Sequence, residues 1–503
     1  MKTRRITAFL LAEALLLPMC TVGCSETEQP AQQNTDTLSS PISTETELET
    51  EPQPGLLDSL PEAIDLGGTE IRCFGRVTVL GDELTVDELT GEVINDAVYT
   101  RDLNVENRLN VKIGDYLLVN GSDYDAFYEM RSTINAGSDD YDLFINNSYT
   151  SAQMAAEGCF VDLKSLEYID LEKPYWSQGY NWASSVGGRQ FLATGKGFLG
   201  FYRHIFITCF NKTLFQRYGV EEPYQSVLEG KWTIDLQNSI ASGFYSDLNG
   251  NGKKDAADQY GYVTNGVRET GINDGFWAAL DMRAVSKDEG DWYIAAFDLE
   301  KVSDGVDKLL ALLHGEGSGL FGENLNDGPV TKIFTEGRAA MINNMLNFAE
   351  SGVAREMEDE YGIVPMAKAS EEQSEYYALD QDQFIVYGIP ITVPADRTDN
   401  IGMFLEAYAS ESFATVRPAY YETALSKKYA NDQESVEMLD IITNSVLIDP
   451  AILYLTLSPI NIYFLRDIIA SGENTTASSY ARVGKTFEKF MEKFNKVYYG
   501  KED

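Results

Sequence analysis

The sequence predicts an α/β protein built from two domains. Strand-like runs at Glu70–Val77, Val111–Leu118 and Tyr141–Ile145 alternate with stretches of helical periodicity. That order builds a layered sheet with helices on its faces and much parallel pairing. At 503 residues the chain exceeds what one ordinary core can serve, so two are expected. The formal charge of −40, from 39 basic and 79 acidic residues and without a basic stripe, repels phosphate and excludes nucleic-acid binding as a class.

Residues 1–23 read as a secretory signal. Lys2, Arg4 and Arg5 precede an apolar run, Ile6 to Met19, too short for a convincing membrane span. The run ends at Thr21-Val22-Gly23-Cys24, which resembles a bacterial lipoprotein cleavage box with Thr21 where Leu is usual. The resemblance implies cleavage before Cys24 and lipidation of that residue. Several acyl chains, each buried CH₂ contributing about 0.8 kcal/mol, make a stable anchor. Residues 24–66 follow as a tether. From Ser25 to about Pro54 they are rich in Ser, Thr, Glu, Gln and Pro and carry no Lys or Arg, a composition expected to be disordered. The remaining cysteines, Cys73, Cys159 and Cys209, sit in apolar contexts and read as small buried hydrophobes.

The folded part is expected from near Gly67. Thr90 is placed to cap a helix whose Ile94, Val98, Val105 and Leu109 share a face. A helix from Tyr124 to Ala136 turns Phe127, Met130 and Ile134 inward and stops at Gly137. The strand Tyr141–Ile145 ends in Asn146-Asn147-Ser148. In open α/β sheets the crevice lies at the carboxyl ends of strands, which makes these three ligand candidates; a simple strand-end turn is the alternative. Next comes an aromatic cluster, Tyr175, Trp176, Tyr180 and Trp182. Such rings either stack on the C–H faces of a sugar or fill a core.

The stretch Lys231–Tyr262 carries the sharpest signal. Asp247, Asn249, Asn251, Asp255 and Asp258 fall at positions 1, 3, 5, 9 and 12 of a twelve-residue loop, with Gly252 at 6 and Lys253 at 7, where only a carbonyl is needed. That is the ligand order of an EF-hand calcium loop, and a structural Ca²⁺ is expected there. Asp258 replaces the usual Glu, and a solvated Asn/Gly turn is the alternative. Thr233 caps the preceding helix, with Ile234, Ile240 and Phe244 on its buried face.

Trp232-Thr233 before a helix, then this loop, then Asp258-Gln259-Tyr260-Gly261, resembles in order and spacing the extracellular solute-binding proteins of sugar ABC importers, the broad group of maltose-binding protein. Phe334 to Met341 is similar to that family's strand leading to its second crossover. Tyr361 to Lys368 is similar to its return through the first lobe, with Ala367 in place of a Pro. The resemblance implies a two-lobed periplasmic-binding-protein-like fold with a hinge and an interlobe cleft. Lobe 1 would span 67–205 plus 344–408, and lobe 2 would span 206–343 plus 409–503. It implies a monomer that captures a carbohydrate by hinge closure and delivers it to ABC permease subunits with a separate ATPase. The protein would sit on the extracytoplasmic face of the membrane, held by its lipid alone. Cleft candidates on this reading are Tyr202 and Arg203 before the crossover at Phe206, with Trp277 as a stacking platform. Asn343 and Asn344 join them, as do Asp380, Asp382 and Gln383 ahead of a strand Phe384–Thr392. Trp176, in Pro174-Tyr175-Trp176 where the family often has Pro-Trp-Trp whatever the sugar, is a further candidate, with a buried structural role the favoured reading.

An enzyme is the rival class. No G-x-S-x-G elbow, H-E-x-x-H site or P-loop occurs in the sequence, and its two histidines, His204 and His314, share no motif. Adjacent acids such as Asp139/Asp140 and Glu371/Glu372 follow from composition. A non-enzyme is expected. The alternatives are a glycan-binding or sensory lipoprotein of the same fold without transport, and a lipid-anchored glycoside hydrolase.

Overall fold

The computed structural model describes residues 57–76, 83–118, 121–266, 268, 271–322, 329–425 and 433–501. Cys24, the signal segment and most of the expected tether lie outside the described residues.

In chain order the strands are β1 (Thr69–Arg76), β2 (Val111–Leu118), β3 (Leu143–Asn147), β4 (Phe206–Asn211), β5 (Tyr260–Asn265) and β6 (Val285–Lys287). There follow β7 (Tyr293–Ala295), β8 (Ser318–Phe321), β9 (Ala339–Met345), β10 (Tyr361–Val364) and β11 (Ile385–Gly388). They form one sheet of order β11-β3-β1-β2 and another of order β10-β4-β9-β5-β8, with β6 and β7 as a separate antiparallel pair. Each sheet is the centre of one lobe.

In the first lobe, β1 lies parallel to β2 from Thr69↔Val111 to Arg76↔Leu118, and parallel to β3 from Cys73↔Leu143. The helices Val93–Leu109 and Asp123–Asn135 make the crossovers, as the alternation of periods predicts. Val98, Leu109, Phe127 and Met130 are buried. Thr90 does not cap its helix. Glu92 is the capping residue, and the Thr90 N–H donates instead to Asp96 Oδ1 at 2.9 Å. Gly137 closes the second helix at φ 64°, donating to the Ile134 carbonyl. Cys73, Cys159 and Cys209 are free and buried.

Two of the three expected lobe boundaries move. β9 runs unbroken through residue 344 to Met345 in the second sheet, so the boundary at 343 falls inside a strand. β10 pairs antiparallel with β4, Tyr361↔Asn211 to Val364↔Thr208, and so belongs to the second lobe, not the first. The chain returns to the first sheet only at β11, antiparallel to β3 with Ile385↔Asn147. The boundary after 408 falls inside one continuous helix, Ala395–Leu425. That helix stays on the first lobe, where Arg101 Nη1 donates to Ser412 Oγ at 3.2 Å and Asn104 Nδ2 to Glu411 Oε1 at 2.5 Å. Phe334 is also not on a strand. The 3.6-residue spacing of Val330, Ile333 and Phe334 buries one face of the helix Pro329–Thr335, ahead of β9.

Candidate ligand-binding cleft

The carboxyl end of β3 is organised by its own asparagines. Asn147 caps the helix Ser148–Ala156, its Oδ1 accepting the Thr150 N–H at 3.3 Å. Ser148 donates through Oγ to the Asp382 carbonyl at 2.8 Å and through its N–H to the Phe384 carbonyl at 2.8 Å. Asn147 Nδ2 reaches Gln383 Oε1 at 3.4 Å. The predicted Asn146, Asn147, Ser148, Asp382 and Gln383 are thus one constellation, assembled because β11 pairs with β3. Asn146 is wholly buried; its Nδ2 donates to Thr150 Oγ1 at 3.2 Å and to the Asp123 carbonyl at 3.4 Å, while its Oδ1 receives no donor. Asp123 pairs with Arg76 and accepts from the Tyr149 hydroxyl at 3.0 Å. Tyr124, 42% exposed, stands beside them with its ring 6.1 Å from Tyr149 and 6.3 Å from Tyr128.

The second lobe supplies a facing set. Asn273 ties the turn before Asp274 to β5: its Oδ1 accepts from Thr264 Oγ1 at 3.0 Å and its Nδ2 donates to the Asn265 carbonyl at 2.7 Å. Asp274 is buried against Arg466, which donates from Nε to its two oxygens at 2.8 and 3.1 Å. Arg466 lies on the helix Ile462–Ser471 one turn after Tyr463, whose ring sits under the Arg466 and Arg268 guanidiniums at 5.2 and 4.6 Å.

The two sets feel each other. Burial and then the Asp274 carboxylate push Asp382 up to about 7, with Arg466 pulling the other way and Asp123 adding to the rise. The Tyr124 phenol is held above its usual value by burial, then by Tyr128, Asp123, Tyr463 and Asp382. Burial pushes Asp274 up to about 6 even against Arg466. The electrostatics of Asp382 and Tyr124 thus couple these groups of the first lobe to Asp274, Arg466 and Tyr463 of the second.

Several predicted site residues are elsewhere. Trp277 is not a platform: it is 4% exposed, packs on Phe297 and Phe464, and donates from Nε1 to Asp449 Oδ2 at 3.1 Å. Trp176 is core, its Nε1 donating to Glu406 Oε2 at 3.2 Å, with the Tyr175 hydroxyl on the other oxygen at 2.5 Å. Tyr202 is buried, stacked on Tyr420 at 5.1 Å, its hydroxyl on the Lys196 carbonyl at 2.7 Å. Arg203 is clasped by Glu350, with Nε 3.1 Å from each carboxyl oxygen and Nη2 at 2.9 Å from one, so its fork is already filled. Asn343 is buried inside β9 with its Oδ1 accepting from Thr208 Oγ1 at 2.9 Å, and Asn344 Oδ1 accepts the Met345 N–H at 2.8 Å. Asp380 is buried opposite Ile205 in the crossover, and burial holds its carboxyl well above the usual range. Asp123, Tyr124, Tyr149, Asp274, Tyr463 and Arg466, which make up these two polar sets, are residues that sequence reasoning missed. No local motif marks them; each matters through a partner brought near only by the fold.

The expected calcium loop folds inward on itself. Asp247 accepts the Gly250 and Gly252 N–H groups at 2.7 and 2.8 Å, and both glycines take φ near 70°. Asn249 and Asn251 turn their amides onto Asp255, and the Asp255 N–H donates to Asp258 Oδ2 at 3.1 Å. The Lys253 N–H donates to Asn251 Oδ1 at 2.7 Å. Among the described residues no group of three or more His, Cys, Asp or Glu is arranged to hold a metal. The converging side chains here are Asp255 and two amides, and a half-turn of each amide presents its oxygen in place of its NH₂. In chemistry the set suits a hard cation that takes oxygen ligands.

No family model matches the sequence, and comparison with curated protein sequences gives no match. Solved structures do match. A cyclic α-maltosyl-1,6-maltose binding protein from Arthrobacter globiformis aligns at TM-score 0.56 and 13% identity over 85% of this chain and 100% of its own. A sugar transporter protein from Rhizobium etli, in an open conformation, aligns at 0.54 and 14% over 84% and 99%. The apo form of RafE from Streptococcus pneumoniae aligns at 0.52 and 14% over 84% and 98%. The chain thus has the two-lobed fold of the solute-binding proteins of sugar ABC importers.

Proposed function

We propose that the protein captures a carbohydrate between its lobes and delivers it to ABC permease subunits powered by a separate ATPase. One observation carries this reading. Asp382, held beside Ser148 at the carboxyl end of β3, is acted on by the Asp274–Arg466 pair of the other lobe, and we read the space between them as the cleft, with the crossovers at Arg203–Phe206 and Val364–Ile385 as its hinge. Hydroxyls need carboxylate, amide and guanidinium partners, and sugar rings need aromatic faces. The cleft offers both, the rings being Tyr124 and Tyr463. The oligosaccharide ligand of the Arthrobacter globiformis protein supports the choice of carbohydrate. Closure brings the two polar sets onto one ligand and excludes water from it. The role is binding without catalysis. Cys24 carries the lipid that holds the protein at the extracytoplasmic face, and a structural Ca²⁺ sits among Asp247, Asn249, Asn251, the Lys253 carbonyl, Asp255 and Asp258.

The test is thermal melting of the full chain against mono- and oligosaccharides, with the sugars assayed afterwards. A ligand at a hundred times its dissociation constant adds about 2.7 kcal/mol to the native state. A shift with one sugar class and full recovery of the sugar is expected. Consumption of the sugar, or no shift across the panel, contradicts the reading.

A further inference from the structure

We propose that Asn249 and Asn251 are sites of spontaneous deamidation, and that Asp247 holds both in check. The sequence has four Asn-Gly pairs, at Asn120, Asn249, Asn251 and Asn265, and two of them follow one another in the loop Asp247–Asp258. Glycine has no Cβ to shield its nitrogen, so an Asn side chain before it is open to attack by that nitrogen. Both loop asparagines and both following glycines are exposed to water. In the reaction the glycine N–H gives its proton to solvent, its nitrogen bonds to Asn Cγ, and Nδ2 takes up a proton and leaves as ammonia. Water then opens the cyclic imide. Attack at Cγ breaks the new N–Cγ bond and leaves Asp; attack at the main-chain carbonyl breaks the original peptide bond and leaves isoaspartate. Nothing is oxidised or reduced, and solvent water is the only co-reactant.

One carboxylate meets both nucleophiles. Asp247 Oδ1 accepts the Gly250 N–H at 2.7 Å, and its Oδ2 accepts the Gly252 N–H at 2.8 Å. A nitrogen that loses its proton there becomes an anion against a carboxylate, and a like charge nearby disfavours the charged form. The two electrophiles are pinned as well. Asn249 Nδ2 lies 3.1 Å from each Asp255 oxygen, and its Oδ1 accepts the Asn251 N–H at 3.0 Å. Asn251 Nδ2 donates to Asp255 Oδ2 at 2.6 Å, and its Oδ1 accepts the Lys253 N–H at 2.7 Å. Neither side chain can swing its Cγ onto the following nitrogen without giving up the bonds at both its ends. Each deamidation turns a donor to Asp255 into a second carboxylate facing it. The loop then no longer closes on itself and needs a cation to do so. Asn265 is the internal standard: it is buried at the end of β5, and the Gly266 N–H donates to the Phe321 carbonyl at 2.9 Å.

The experiment incubates the full chain with chelator at physiological temperature and mildly alkaline pH. Asp and isoaspartate at each asparagine are then measured by mass spectrometry of its peptides, and the same chain in urea gives the unguarded rate. In the native parent Asn249 and Asn251 should react about tenfold or more slowly than in urea, the effect of one unit in the acidity of the attacking N–H. Asp247→Ala should bring both close to the urea rate while Asn265 stays intact. Asp247→Asn keeps one acceptor oxygen for two N–H groups, so it should release one asparagine and not the other, a split that a merely loosened loop does not give. A native parent as fast as the chain in urea, or Asp247→Ala no faster than the parent, overturns the proposal. Equal release of both asparagines in Asp247→Asn, or acceleration that also takes Asn265, overturns the assignment to the Asp247 carboxylate. For the product, Asn249→Asp with Asn251→Asp should lower the melting temperature in chelator, and an unchanged temperature contradicts the loss of self-bonding.

Discussion

Arg466 grips Asp274 from a position 192 residues away in sequence, its Nε lying 2.8 and 3.1 Å from the two carboxyl oxygens while both side chains are buried. In the proposed function the pair is the second lobe's wall of the cleft. Removing one partner of a buried pair leaves an unmatched charge and costs about 3–5 kcal/mol. Arg466→Met should lower stability by about that amount in urea unfolding, and adding Asp274→Asn in the same chain should recover most of it. A single variant as stable as the parent would show that the pair is not held as described.

Trp277 and Tyr124 separate stability from binding. Trp277 fills the second lobe's core and satisfies Asp449, so Trp277→Ala should cost about 3–5 kcal/mol through the cavity alone. Tyr124 is 42% exposed at the cleft rim, so Tyr124→Ala should leave the melting transition within a few degrees while weakening ligand binding. Melting curves of the two variants, recorded side by side, check both halves.

The Asp382 carboxyl gives a pH dependence of definite sign. An unfolded Asp titrates near about 3.9. In the folded chain this one is raised to about 7. Between those values the folded state holds a proton that the unfolded state has lost, so stability falls as pH rises through the window and levels off above it. Glu406, pushed up to about 7 chiefly by burial, adds a slope in the same direction. The difference between parent and Asp382→Asn isolates the cleft's share. Without ligand, the variant should gain on the parent between pH 5 and 8, measured by melting in matched buffers at constant ionic strength.

Calcium binding makes its own prediction. If the loop Asp247–Asp258 holds the ion, chelation should lower the melting temperature of the parent, and Asp255→Ala should abolish both the shift and its recovery on adding calcium. Asp255 is the carboxylate onto which both loop amides converge. A parent that melts identically with and without chelator would make the loop a self-bonded turn.

The strands and helices of the first lobe were readable because their periods alternate cleanly, and Asn146–Ser148 because a strand's carboxyl end is a position that local pattern can find. Asp382 came with them, since it precedes the strand that pairs with β3. Trp176 took the buried role weighed for it, and the Trp277 platform reading failed, for one physical reason. Trp176 and Trp277 look amphipathic in isolation, but each has a buried carboxylate for its N–H, Glu406 and Asp449, 230 and 172 residues away. Arg203 is likewise spoken for by Glu350, 147 residues on. Tyr124 and Tyr463, the rings of the proposed rim, read in the sequence as ordinary surface tyrosines, and nothing local pairs them.

Capture between two lobes requires that both lobes touch the ligand. The direct measurement is calorimetric affinity for the most stabilising sugar in the parent, in Tyr124→Ala from the first lobe and in Tyr463→Ala from the second. Each variant should bind at least about tenfold more weakly, a loss of about 1.4 kcal/mol, with its fold intact. If either change leaves the affinity where it was, that lobe does not hold the ligand, and the cleft between Asp382 and Asp274–Arg466 is not where this protein binds.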